Sequence, residues 1–158
     1  MPNFQMDAID RRIIRALQKN PRISNVDLAE EAGISPSPCL RRTRRLHEEG
    51  VIEGYQLMLA PKAVGQNVQS ITLVKLHTHG HSASDVFERY IKANPAVLSC
   101  FFLTGAHDAV LHLSVQDLDE FSRVVKELGE HDNVREIESS IIIQTPKAWA
   151  PLPLDGIE

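Results

Sequence analysis

The feature that most restricts this chain is a pair of prolines set directly behind a serine. Pro36 and Pro38 follow Ser35 and lead into Cys39-Leu-Arg-Arg-Thr-Arg-Arg-Leu-His-Glu-Glu49, with Gly50 behind. A helix tolerates proline only in its first turn, where the N–H groups have no intrahelical partner. The helix is therefore expected to begin at Pro36. Ser35 suits its N-cap, with its hydroxyl accepting from a first-turn N–H, and Gly50 suits the left-handed residue that ends it. At about 100° per residue, Cys39, Leu40, Thr43, Leu46 and His47 share one side. Ser37, Pro38, Arg41 and Arg45 point the other way, with Arg42 and Arg44 on the flanks. Four arginines fall within residues 41–45. A charge run of this kind is most simply a solvated helix face. Here, however, the anions close in sequence, Glu48 and Glu49, lie only at the far end, within i,i+4 reach of Arg44 and Arg45 alone, so the run as a whole is not expected to be paired off.

Two shorter helices are expected ahead of it. The first runs from Asp7 to about Lys19, with Asp7 as cap and Ile9, Ile13, Ala16 and Leu17 as its apolar stripe; Asn20-Pro21 stops it. The second opens at Ser24, with Asp27 in a capping-box-like position, and breaks at Gly33-Ile34. Short helices joined by a glycine-containing turn form the helix-turn-helix pattern, whose second helix presents its N-terminal residues to the major groove. Ser37, Pro38, Arg41, Arg42 and Arg45 are placed for that. The arginine fork suits both guanine edges and phosphates.

Arg22-Ile-Ser-Asn-Val-Asp-Leu-Ala29, Gly33-Ile-Ser-Pro-Ser-Pro-Cys-Leu40, Arg44-Arg-Leu46 and Gly50-Val-Ile-Glu-Gly-Tyr55 resemble the DNA-binding domain of the Lrp/AsnC (feast/famine) transcriptional regulators. The resemblance runs on to about Lys147. It implies a DNA-contacting set of Ser24, Ser35, Ser37, Pro38, Arg41, Arg42, Arg44 and Arg45. Arg41 stands where relatives often carry another residue, which makes this helix more basic. Val51 to Leu59 alternates weakly and reads as a short strand; the resemblance makes it a hinge that pairs two subunits.

From Gln69 the pattern becomes strand, helix, strand, strand, helix, strand. Strands are expected at Ile71–His77, Val97–Leu103, Ala109–Val115 and Val134–Gln144, and helices at Ser84–Ala93 and Asp117 to about His131. This βαββαβ order is the ferredoxin-like arrangement. The expected class is thus α+β: a winged-type helix-turn-helix domain over 1–60 with its hinge strand, a ferredoxin-like domain over 61–147, and a proline-rich tail over 148–158.

The hairpin loop Thr104-Gly-Ala-His-Asp108 matches the Gly-x-x-Asp signature of the family. Glycine permits positive φ and a close backbone approach, and a carboxylate can hold an ammonium group; taken alone, the same residues make an ordinary turn in which Asp caps backbone. The resemblance implies that Thr104, Gly105, Ala106, His107 and Asp108, with Ser140 on the last strand, line a pocket for a small amino acid where dimers meet. Ala106, His107 and Ala109 stand where the family often has acidic or aromatic residues, so the pocket is expected to be reshaped, differently selective or unused.

The net charge of −4 is unusual for a nucleic-acid binder, but it divides unevenly: residues 1–60 carry nine Lys/Arg against eight Asp/Glu, and residues 61–158 eight against thirteen. The basic footprint is therefore local to the helix of Arg41–Arg45, and assembly would add affinity through multivalency. Cys39 and Cys100 sit among apolar neighbours and read as buried thiols. His77, His79 and His81 alternate near a strand end; a metal site there is less apt than a polar approach to a loop, and no metal or cofactor is expected. His107 beside Asp108 could make ligand binding pH-dependent. The apolar residues of the tail, Trp149, Leu152, Leu154 and Ile157, suggest that it docks on a neighbouring surface. With no leader and no apolar run of membrane length, the expectation is a cytoplasmic protein.

These readings converge on a non-enzymatic regulator that binds double-stranded DNA as a homo-oligomer, dimers assembling to tetramers or octamers, under a small amino-acid effector. Two alternatives are a sirohaem decarboxylase-like enzyme of the same architecture acting on a tetrapyrrole, and an architectural DNA binder without effector.

Overall fold

A computed structural model describes residues 5–77, 81–148 and 150–154, with backbone alone at 81–84. His79, Trp149 and Ile157, and the side chain of His81, lie outside the described residues. The chain divides into two compact units. One holds the residues up to Leu57 together with those from Lys147 onward, and the other runs from Met58 to Pro146.

The first unit is built on α1 (Ala8–Lys19), α2 (Asn25–Ala32) and α3 (Pro36–Glu48). Each start is set by local chemistry. The Asp7 carboxylate accepts from the N–H groups of Ile9 and Asp10, both at 2.9 Å, and Asp10 accepts from the Asp7 N–H at 3.3 Å, completing a capping box. The Ser24 hydroxyl accepts from the Asp27 N–H at 3.2 Å. Gly33 (φ 70°) turns the chain between α2 and α3, and the Ile34 N–H closes onto the Ala29 carbonyl at 3.0 Å. Ser35 precedes α3 in extended backbone as expected, but its hydroxyl makes no cap hydrogen bond. One of its two usual partners is missing: an N-cap side chain bonds the N–H of the second or third helical residue, and the third is Pro38, which has none. Ile13, Ile14, Ala16, Leu17, Leu28, Ala29, Ala32, Cys39 and Leu46 form the core. Leu40 and His47, expected on the buried side of α3, are exposed at its edge.

The tail joins this unit. Gln18 donates through Nε2 to the Leu152 carbonyl at 3.0 Å, and Leu154 packs against the helical core. The strand expected over Val51–Leu59 is absent: after Gly50 (φ 70°) and a bend, residues 53–60 have no regular structure. A strand exists only through hydrogen bonds to a neighbour, and among the described residues none pairs with this segment in a ladder.

In the second unit, a 3₁₀ turn at Pro61–Val64 leads to β1 (Val68–Leu76), α4 (His81–Ala93), β2 (Val97–Phe102), β3 (Ala109–Val115), α5 (Leu118–Gly129) and β4 (Val134–Ile141). The four-stranded sheet has the order β2-β3-β1-β4, each neighbouring pair antiparallel. This is the ferredoxin-like arrangement. Its last strand stops at Ile141, short of Gln144, although the Ile142 N–H still reaches the Gln69 carbonyl at 2.8 Å. Val74, Leu76, Phe87, Ile91, Leu111, Leu113, Val124 and Leu128 pack between the helices and one sheet face. Directly opposed residues share a face. The register aligns Ser99, His112, Ile71 and Ser140 in one row of the other face, and Phe101, Val110, Leu73 and Glu138 in the next. Ile71 and Phe101 are exposed there.

Candidate nucleic-acid interface and effector loop

Of the eight residues expected to meet DNA, Ser37, Arg41 and Arg44 form the most outward ridge of α3, and all three are exposed. Arg42 and Arg45 lie on the shoulder turned towards α1. Arg42 Nη1 contacts Asp7 Oδ2 at 2.7 Å and Asp10 Oδ1 at 2.9 Å, and Arg45 Nη2 contacts Asp10 Oδ2 at 2.8 Å. This corrects the expectation of unpaired arginines. Their partners are not helical neighbours but carboxylates 32 to 35 residues away in sequence, brought close by packing of α1 on α3. The Arg42 guanidinium is held above its ordinary pKa, first by Asp10 and then by Asp7. The Asp7 carboxyl lies below its ordinary value, chiefly through the Asp10 N–H and also through Arg42, against a smaller opposing effect of burial.

Ser24 and Ser35, which precede α2 and α3, are exposed, and Pro38 is half-buried in the first turn. The Ser24 hydroxyl is committed to its cap: it also donates to Asp27 Oδ2 at 2.7 Å. Two positioning contacts were not anticipated from sequence. Asn25 Nδ2 donates to the Pro36 carbonyl at 3.0 Å, tying the start of α2 to the start of α3. His47 lies 3.1 Å from the Ile52 carbonyl through Nδ1 and 3.3 Å from the Tyr55 hydroxyl through Nε2. One neutral tautomer satisfies both, Nδ1–H donating to Ile52 and Nε2 accepting from Tyr55. The end of α3 is thereby fastened to the segment that leaves the unit.

The second candidate site is the β2–β3 loop. Thr104, Gly105 and Ala106 are exposed, and His107 and Asp108 are half-buried. Gly105 adopts φ 121°, a conformation that L side chains rarely take. Asp108 does more than bound the turn. Its Oδ2 accepts from the Leu76 N–H at 2.8 Å, its N–H donates to the Val74 carbonyl at 2.9 Å, and its carbonyl accepts from the Leu103 N–H at 2.9 Å. It therefore pins the loop to β1 where the β1–β4 register shifts, between Lys75 and Leu76. Ser140 is not brought to this loop. It lies opposite Ile71, whereas the loop meets β1 at Val74 and Leu76, about 10 Å further along the strand. Glu138 lies between, its Oε2 3.9 Å from His107 Nε2. That carboxylate was missed because its place depends on strand register. Among the described residues, no group of three or more His, Cys, Asp or Glu side chains could hold a metal ion, and no helix is long and apolar enough to cross a membrane.

A helix-turn-helix with an exposed basic ridge, followed in the chain by a ferredoxin-like unit with a glycine-containing ligand-type loop, defines a class of two-part DNA-binding regulators. Sequence models agree: the winged helix-turn-helix DNA-binding family matches residues 6–53 and the Lrp/AsnC ligand binding domain matches residues 69–152. The chain is 36% identical over 148 residues to the HTH-type transcriptional regulator AldR of Mycolicibacterium smegmatis, covering 93% of this chain and 86% of that protein. It is 35% identical to the leucine-responsive regulatory protein of Rhizobium meliloti, covering 90% of this chain and 92% of that one. The crystal structure of a Neisseria meningitidis transcriptional regulator in complex with L-Met superposes with a TM-score of 0.89 at 35% identity, covering 96% and 98% of the two chains. The protein belongs to the Lrp/AsnC family of transcriptional regulators. It is a DNA-binding regulator with a ligand-binding domain, and its relatives are regulators rather than enzymes.

Proposed function

We propose that the chain represses or activates transcription by gripping successive major-groove half-sites with α3 of paired subunits, under control of an amino acid held at the Thr104–Asp108 loop. The observation that carries the DNA reading is the outward ridge of Ser37, Arg41 and Arg44 on a helix whose back is sealed by Cys39 and Leu46. Ser37 and Arg41, near its N-terminus, are placed for base edges, and Arg44 for phosphate. Ser24 and Ser35, both exposed, would complete the contact set. The effector reading rests on Gly105 and Asp108, with His107 and Glu138 beside them, and on the L-Met carried by the Neisseria relative. Ser140 would enter such a pocket from a second subunit.

What one chain leaves uncovered supports homo-oligomerisation. Ile71 and Phe101 on the open sheet face, and Leu57, Met58 and Leu59 in the unpaired segment, are apolar and exposed. Apolar surface of this kind marks an interface, and an extended segment without ladder partners is suited to pair with its counterpart. A regulator of this kind works in the cytoplasm, where it meets DNA. The test is binding to a duplex selected from a random-sequence pool, measured across a range of salt. Arg41→Ala and Arg44→Ala should each weaken binding, and each lost phosphate contact should reduce the salt slope by about 1. Affinity and slope unchanged in both variants would place the interface elsewhere.

A further inference from the structure

We propose that Asp10 is a positioning residue of the DNA interface: through Arg42 and Arg45 it sets the roll of α3 and withholds those two arginines from the phosphates. The inference rests on the reading of α3 as the DNA-facing helix. Asp10 is 0% exposed, yet it is a carboxylate on the first turn of α1. A charge so deep in a protein persists only when it is paired and hydrogen-bonded. Its two oxygens each take one arginine of α3, Oδ1 from Arg42 and Oδ2 from Arg45. Arg42 Nη1 is shared with Asp7, whose carboxylate also caps α1.

The geometry separates two jobs. Cys39 and Leu46, both 0% exposed, hold α3 against the core. Apolar burial fixes depth but is non-directional. The arginine–carboxylate contacts are directional. Arg42 and Arg45 sit one turn apart and grasp the same buried group, so α3 cannot rotate about its axis without breaking one of them. The roll they hold is the one that turns Ser37, Arg41 and Arg44 outward. A phosphate that drew Arg42 Nη1 or Arg45 Nη2 to itself would strip a buried carboxylate of a partner, so the brace disfavours swinging these two arginines out as DNA cations.

The test uses the full chain, a duplex selected from a random pool and a scrambled duplex of equal length. Binding is measured against salt for the wild type, Arg41→Ala, Arg42→Gln, Arg45→Gln and Asp10→Asn, with folding followed by circular dichroism. Arg42→Gln and Arg45→Gln should leave the salt slope unchanged while lowering affinity for the selected duplex. Asp10→Asn should cut the ratio of selected to scrambled affinity by about tenfold, the size of one lost base contact. It should also steepen the slope on the scrambled duplex, because the released arginines then reach phosphates. Should Asp10→Asn fail to fold, the two glutamine variants carry the test, since each leaves Asp10 one arginine. The proposal is overturned if they flatten the slope as Arg41→Ala does, or if Asp10→Asn weakens both duplexes equally. A slope and affinity indifferent to Arg41→Ala as well would instead refute the placement of DNA on α3, and the brace with it.

Discussion

Single residues here carry two loads, and conservative substitutions separate them. In the proposed reading Asp108 would offer its carboxylate to a ligand, while its Oδ2 satisfies the Leu76 N–H. Asp108→Asn keeps an oxygen acceptor for Leu76 and loses only the charge. It should therefore melt within a few degrees of the wild type yet fail to gain stability from an amino acid. Asp108→Ala should cost about 1 kcal/mol in addition, from the lost hydrogen bond; equal melting of the two variants in thermal denaturation would contradict this. Gly105 meets no neighbour at its missing Cβ but sits at φ 121°. Gly105→Ala should thus destabilise by about 1 kcal/mol through backbone strain alone. His112 supplies a pH signature. Its Nε2 is buried with no hydrogen-bond partner among the described residues, and burial pushes its pKa below the ordinary 6.5. As pH falls, the unfolded ring takes its proton before the folded one. The stability it permits is complete above pH 6.5 and is lost as pH drops towards the folded value. The fall in melting temperature between pH 8 and pH 5.5 (about two and a half units spanning that window) should be smaller in His112→Gln; an identical fall would exclude this histidine as a cause.

At the scale of elements, what could be read in the sequence was whatever is decided within a turn of helix or a hairpin. Asp7, Ser24, Gly33, Pro36 and Asp117 mark helix ends because caps and breaks act on their immediate neighbours. The Ser35 cap bond is absent where Pro38 has removed one of its two possible N–H partners, an equally local effect. What could not be read were contacts made by packing or by another chain. Arg42 and Arg45 find Asp10 across helices, Glu138 finds His107 through strand register, and residues 53–60 pair with no strand among the described residues. The buried Leu46 tests how far α3 depends on the core: Leu46→Ala should cost about 2–5 kcal/mol by denaturant unfolding, as a truncated core side chain does. The His47–Tyr55 contact is the element's other end. Tyr55→Phe removes the hydroxyl but keeps the edge-on ring packing at 5.6 Å. It should leave melting nearly unchanged and speed amide exchange at Val51 and Ile52; unchanged exchange would show that the ring alone fastens the segment.

For the whole molecule, the path of the chain matters as much as its parts. It leaves the helical unit after Leu57, builds the sheet, and returns from Lys147 so that Leu154 packs on the helical core. Truncation after Pro146 should therefore loosen α1, seen as faster exchange of its amides, rather than the sheet. Such a return is invisible to a reading by segments, because prolines at 146, 151 and 153 say only that the tail is not a helix. The open sheet face belongs to this scale too: Phe101→Lys should lower the mass in solution measured by light scattering, and an unchanged mass would move the subunit interface off that face. In the proposed function an amino acid and DNA are read by one protein and felt by each other. The most direct measurement is the affinity for the selected duplex with and without each of the twenty amino acids, paired with the affinity for the amino acid with and without duplex. The account predicts that one or a few amino acids shift duplex affinity by roughly 5–150-fold and that duplex shifts their affinity by the same factor. No amino acid altering duplex affinity, and none binding the free protein, would contradict it and leave an architectural DNA binder in its place.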